Sequence, residues 1–166
     1  YGDEVGMWGA NDPDDRKPML WPDIAYEKER ALPDGKLRPE AQADEVRQDQ
    51  DLRAYYKKLI GIRNAHPALQ SGSYRTLLAD DAHSVFAYER RLGDDVIWVI
   101  LNNSEAERTV RLPRSGFDEF EDLLNARTYT GQHPEMEFII PARQAAVLRA
   151  SMIPLDAAAL EKQARK

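Results

Sequence analysis

In the stretch NDPDDR, Asp12 and Arg16 stand four residues apart with the stiff residue Pro13 between them. If a turn brings the two together, the guanidinium can hold the carboxylate by charge-assisted hydrogen bonds. A carboxylate held in that way keeps lone pairs free to accept from vicinal hydroxyls, which is how a protein grips a sugar. The competing reading is a surface Asp–Arg pair in a turn, which contributes little energetically. Asp3 and Glu4 are a second candidate. As neighbours in an extended segment they would face opposite ways, whereas a glycosidase pair must face one bond across about 5–10 Å. Trp8 and Trp21 offer rings on which a sugar could stack, although a Trp close to Met more often belongs to a core. The three histidines, His66, His83 and His133, are scattered. No His-x-x-x-His pair, Ser-His-Asp constellation, Gly-x-Gly-x-x-Gly fingerprint or P-loop occurs.

Composition narrows the partners. The 166 residues carry 29 acidic and 23 basic side chains, for a net charge of −6, and the sequence pI is near 5.1. This balance offers no footprint for nucleic-acid phosphates. Mean hydropathy is −0.65, and no run of about 18 apolar residues suggests a membrane span. With no cysteine in the chain, disulfides, zinc–thiolate sites and thiol catalysis are excluded. A neutral or small partner fits best.

The elements that must position these residues fall into three zones. Residues 1–47 are rich in Gly, Pro and charge and read as a long structured loop, with a turn-rich polar part around Pro33, Asp34, Gly35 and Pro39. Residues 49–66 predict a helix capped by Asp49 or Asp51, with Leu52, Tyr55, Tyr56, Leu59 and Ile62 at helical spacing and His66-Pro67 as its stop. Beyond residue 72 the period becomes that of strands. HSVFAYERR and VIWVILNNS predict a hairpin through Leu92-Gly93-Asp94-Asp95. VIWVIL, apolar on both faces, belongs in the middle of a packed sheet. Short strands are expected at Arg108–Leu112, Arg127–Tyr129, Glu137–Ile140 and Ala145–Ala150, which together suggest an antiparallel sandwich. The Ala-rich, charged tail reads as a frayed end or as a short helix begun by Asp156.

The opening stretch YGDEVGMWGANDPDDRKPMLW resembles the segment that follows the last barrel strand in the α-amylase family, glycoside hydrolase family thirteen. Its wording is most similar to the neopullulanase, cyclomaltodextrinase and maltogenic amylase branch. The resemblance continues through DLRAYYKKLIGIRNAHPAL, which looks like the last barrel helix, and SVFAYERRLGDDVIWVILNNS, which looks like the first strands of the C-terminal sandwich. It implies an α+β fold: residues 1–67 as the last loop and helix of a (β/α)8 barrel, residues 72–150 as an antiparallel β-sandwich domain, and residues 151–166 as a tail. It also implies hydrolysis or transfer of α-glucosidic bonds with retention, using an Asp nucleophile, a Glu acid/base and a supporting Asp. Those three lie in motifs upstream of the matched segment and are not among these residues. The resemblance assigns Asp12 and Arg16 to substrate binding, as contacts to glucose on the non-reducing side of the scissile bond. No catalytic residue and no metal ligand is expected in this chain.

On this reading the chain is expected to be the C-terminal part of a longer α-glucan hydrolase and to be inactive alone. No cofactor is expected of it; any calcium ion would belong to the rest of the parent. The partner is an α-glucan oligosaccharide or polysaccharide, with neither nucleic acid nor membrane, and a homodimer is open for the parent. The alternative is a non-catalytic carbohydrate-binding or interaction module. Tyr74, Tyr88, Trp98 and Tyr129 motivate that alternative, which requires exposed aromatics in a row.

Overall fold

The computed structural model describes residues 1–9, 11–12, 15–32, 34–131 and 133–152. Expectations that fall on Pro13, Asp14, Pro33 and the helix begun by Asp156 lie outside these residues. The chain divides into two units, Tyr1–Ile60 and Gly61–Lys166. The division falls inside helix α1, Gln50–Ala65.

The first unit has little regular structure and a small apolar interior, in which Val5, Leu20 and Ala31 are buried. Asp3 and Glu4 were expected in an extended segment. They lie instead in a 3-10 turn, Asp3–Val5. Gly2 explains the turn: its φ of +86° lies in the left-handed region, and a Cβ there would come within 2.6 Å of the Met7 sulfur. The turn is tied to the start of α1, because the Asp49 N–H donates to the Val5 carbonyl at 3.0 Å. Asp49 is also the helix cap, its Oδ1 accepting from the Leu52 N–H at 2.9 Å. Between these ends the chain crosses itself at the isolated bridges Glu29–Asp44 and Ala31–Leu37. None of the residues of α1 is buried. The expected apolar stripe therefore stays accessible, with Tyr55 44% and Tyr56 38% exposed.

The second unit is an antiparallel sandwich. After His66 ends α1, a short helix α2, Pro67–Ser71, leads into β1, Ser73–Asp80. The remaining strands are β2 Val85–Leu92, β3 Asp95–Asn102, β4 Arg108–Pro113, β5 Glu119–Asp122, β6 Arg127–Thr130, β7 Glu135–Ile140 and β8 Ala145–Ser151. One sheet has the order β1-β2-β3-β8-β5-β6, and the other pairs β4 with β7. The expected hairpin is β2–β3, turned by Gly93-Asp94 with Gly93 at φ +58°, the positive φ that mirror-image hairpin turns need. VIWVIL is β3, central and buried from Val96 to Ile100. Strands β4 and β7 alternate cleanly, with Val110, Leu112, Met136, Phe138 and Ile140 facing the core.

Strands β1 and β5 were not expected from the sequence. In β1 a bulge between Thr76 and Leu78 breaks the period, so Leu77 and Leu78 both lean toward the core. In β5 one inward position is filled by Asp122, which hides the apolar alternation. Its Oδ1 accepts from the backbone N–H groups of Leu124 at 3.0 Å, Asn125 at 3.2 Å and Val147 at 3.3 Å. These bonds compensate its burial.

The two sheets are joined by Asn102. Its Nδ2 lies within hydrogen-bonding distance of the carbonyls of Ala106 at 2.8 Å, Ile140 at 3.0 Å and Pro141 at 2.9 Å. Its Oδ1 accepts from the Ser104 N–H at 3.0 Å. Short helix α2 sits against β2 and β3. Gly72 permits the close approach, since a Cβ there would lie 2.7 Å from the Arg91 carbonyl oxygen. Asp95 secures the same corner, its two oxygens meeting His66 Nδ1 at 3.0 Å and the Ala68 N–H at 2.9 Å.

At the core's centre Trp98 is fully buried, with its ring against Phe117, Phe120 and Phe138. Its Nε1 donates to Glu89 Oε2 at 2.9 Å. Arg75 and Arg91 also donate to this carboxylate, at 3.2–3.3 Å. Burial pushes the Glu89 carboxyl up, but the donors from Arg91, Trp98 and Arg75 outweigh it and hold the group below the usual range. A carboxyl lowered in the folded state stabilises fully above its unfolded value, and the contribution is lost as pH falls through the folded value. Glu89→Gln is therefore expected to lose about 1–2 kcal/mol near pH 7, the arginines being partly hydrated. The gap to the wild type should narrow from about pH 4 downward. Urea unfolding of both proteins across that window checks this; a gap independent of pH would show that charge is not its source.

Candidate functional site

Asp12 and Arg16 come together as the sequence suggested. Arg16 Nε lies 3.1 Å from Asp12 Oδ1, with side chains 77% and 65% exposed respectively. At such exposure the pair contributes little to stability.

The loop that carries the pair is braced by contacts that sequence reading missed. The Tyr1 hydroxyl donates to the Lys17 carbonyl. Lys17 Nζ donates to Glu29 Oε2 at 2.5 Å, and Glu29 Oε1 accepts from the Arg30 and Ala31 N–H groups at 2.8 and 2.9 Å. The Lys17 ammonium first, then the Ala31 N–H, hold the Glu29 carboxyl below the ordinary carboxylate range. Trp8 is half-buried in this unit. Its Nε1 donates to the Ala31 carbonyl at 3.1 Å, and the Arg38 guanidinium lies over its ring at 5.1 Å. The ties from Tyr1 to Lys17, from Lys17 to Glu29 and from Trp8 to Ala31 join residues 12 to 23 positions apart, so no local pattern announces them.

Two clefts open in the first unit. One, about 380 Å³, is lined by residues that include Met7, Trp8, Lys17, Tyr26 and Glu29. The other, about 690 Å³, lies between Trp21-Pro22 and the segment that enters α1. Asp12 and Arg16 line neither.

The other candidates separate. Asp3 and Glu4 share one short turn and do not face each other across a cleft lined by both. His66 and His83 are engaged structurally, His83 Nδ1 lying 2.8 Å from Asp80 Oδ2, and that hydrogen bond lowers the Asp80 carboxyl. His133 stands at a surface cleft with Arg111 and Glu137. Among the described residues no group of three His, Asp or Glu side chains is placed to hold a metal ion. No helix there is long and apolar enough to cross a membrane. Of the four sandwich aromatics singled out, Trp98 is buried and Tyr129 packs on Phe138 at 5.1 Å, while Tyr74, 57% exposed, stacks on half-buried Tyr88, whose ring also meets half-buried Phe86 at 6.0 Å.

No protein-family model matches the chain. Individual relatives do. Neopullulanase 2 of Thermoactinomyces vulgaris is 31% identical over 150 residues, which are 89% of this chain and 22% of that protein. A cyclomaltodextrinase of Bacillus sp is 36% identical over 111 residues, 67% of this chain and 16% of that one. Among solved structures, a cyclomaltodextrinase superposes with a TM-score of 0.67 at 27% identity, over 91% of this chain and 22% of its own. This chain thus spans about a fifth of the length of the relatives it matches. The sandwich and these likenesses agree, and the chain belongs to the α-amylase family, glycoside hydrolase family thirteen, as a neopullulanase-like member.

Proposed function

We propose that these residues are the C-terminal part of a retaining α-glucan hydrolase acting on α-1,4 or α-1,6 bonds in cyclodextrins, pullulan or maltooligosaccharides. In this reading residues 1–67 end the catalytic barrel, contributing the loop after its last strand and its final helix. Residues 72–150 form the structural sandwich that follows. The observation that carries the proposal is the Asp12–Arg16 pair, held at 3.1 Å while both side chains stay exposed.

The chemistry asked of the pair is positioning. Asp12 Oδ1 is oriented by Arg16, which leaves Oδ2 to accept from one hydroxyl of a glucose unit. The guanidinium N–H groups not used by Asp12 donate to the neighbouring hydroxyl oxygen. Docking the sugar removes water from both groups, and charge-assisted bonds strengthen as water leaves. A unit fixed in this way holds the next glycosidic bond in place for carboxylates supplied by the rest of the enzyme. The names of the relatives, neopullulanase and cyclomaltodextrinase, support the substrate class. The rival reading, a stand-alone binding module of the sandwich, would have to rest on Tyr74, Tyr88 and Phe86, since Trp98 is buried.

Two outcomes follow. The isolated chain should show no turnover of cyclodextrin, pullulan or maltooligosaccharides above a denatured control; reducing-sugar release above that control would refute the division of labour. In the longer protein, Asp12→Ala should lower kcat/KM on maltoheptaose by about ten- to a hundredfold, the worth of one or two hydrogen bonds to a charged group. A short activated glucoside that does not reach this unit should be affected far less. Equal losses on both substrates would remove Asp12 from the glucan contact.

A further inference from the structure

We propose that the cleft of about 690 Å³ beside Trp21 is a second saccharide site, separate from the Asp12–Arg16 pair, in which the indole face stacks on a pyranose ring and the polar lining binds its hydroxyls.

Trp21 is 56% exposed, unlike Trp8 and Trp98. Yet its backbone is well held. The Trp21 N–H donates to the Tyr26 hydroxyl oxygen at 2.7 Å, and that hydroxyl donates to the Met19 carbonyl at 2.9 Å. Its neighbour Leu20 is buried, and the Leu20 carbonyl accepts from Gln48 Nε2 at 2.5 Å. The ring is therefore displayed from a braced turn.

Beside Trp21, Pro22 and Ile24 the lining is polar, with Arg47, Gln48, Asp49 and Asp51 among its residues. Asp49 is fixed by its capping bond to Leu52, and Gln48 Oε1 accepts from Gln50 Nε2 at 2.9 Å. Glu45, on the same rim, is paired with Lys28 at 2.6 Å. A cleft of this size with one aromatic face and planar amide, carboxylate and guanidinium groups has the composition of a small-molecule site.

The chemistry selects the occupant. An apolar segment laid here would strip water from Asp49 and Asp51 with nothing to replace it. An anion would meet a mainly acidic rim. A neutral polyhydroxyl compound suits this lining: its C–H face covers the indole, and its hydroxyls donate to carboxylates and accept from Gln48 and Arg47. That the sugar is an α-glucan rests on the proposed function; that it is a sugar rests on the cleft alone.

Calorimetric titration of the 166-residue chain tests this, with maltoheptaose as the probe and cellohexaose as the comparison. Maltoheptaose is expected to bind. Trp21→Ala should weaken it by about tenfold or more, the worth of one aromatic contact. Trp21→Phe, which keeps a stacking face, should recover most of the loss. Tyr74→Ala, on the sandwich surface, should leave the affinity unchanged. Since Trp21 is exposed, its variants should unfold at the wild-type temperature, so lost binding is not lost folding. No heat at about 10 mM maltoheptaose would overturn the proposal, as would Trp21→Ala binding like the wild type. Cellohexaose binding as tightly, with the same dependence on Trp21, would keep the saccharide site and overturn the α-glucan reading.

Discussion

The sandwich depends on burying one indole. Trp98 is the largest fully buried side chain, and its ring touches aromatic side chains from both sheets. Such a ring contributes large apolar burial only if its N–H also finds an acceptor. Glu89 provides it, and Glu89 is the residue directly opposite Trp98 across the β2–β3 ladder. A slip of one residue in that ladder would turn Glu89 outward and leave the N–H alone in the core. The two-residue turn at Gly93-Asp94 prevents the slip, because its length sets the register. The turn, the cross-strand pair and the core are therefore one constraint. Arg75 and Arg91 extend it to the surface by balancing the charge that the acceptor brings inside.

The first unit is built on a different principle. With few buried apolar side chains it cannot rest on a core. Its path is held by spaced polar ties: Lys17 to Glu29, Arg30 to Glu40, Arg38 to Asp44, and the Trp8 N–H to Ala31. Ion pairs that keep some access to solvent contribute modestly each. Their effect here is to choose one path for a long loop among many of similar energy. That suits a segment whose exposed groups must be placed with some accuracy while the segment itself adds little to global stability.

What could be read from sequence follows from this contrast. The β2–β3 hairpin, the burial of VIWVIL and the capping of α1 by Asp49 are local signals, and the structure agrees with each. Strands β1 and β5 were hidden because a bulge and a buried Asp break the alternation that marks a strand. Asp122 looks like a turn residue in sequence and serves as a buried acceptor for three backbone N–H groups. At the candidate site, the four-residue spacing of Asp12 and Arg16 was legible, and their ion pair is present. The ties that hold that loop were not, since Tyr1 to Lys17 or Lys17 to Glu29 follows from the fold and from no local pattern.

Exposure combined with bracing is what separates a functional residue from an incidental one in such a loop. Asp12, Arg16 and Trp21 each give the fold little, being largely in solvent. An exposed indole forgoes burial worth about 2 kcal/mol or more. Around Trp21, however, buried Leu20, Tyr26 and Gln48 all act to hold the backbone that presents it. Structure spent on holding groups that do not repay it in stability is the pattern of preorganisation for a ligand. By the same measure Asp3 and Glu4 fall away as a reacting pair. Adjacent on one 3-10 turn, they point along diverging directions and cannot address the two faces of a single glycosidic bond.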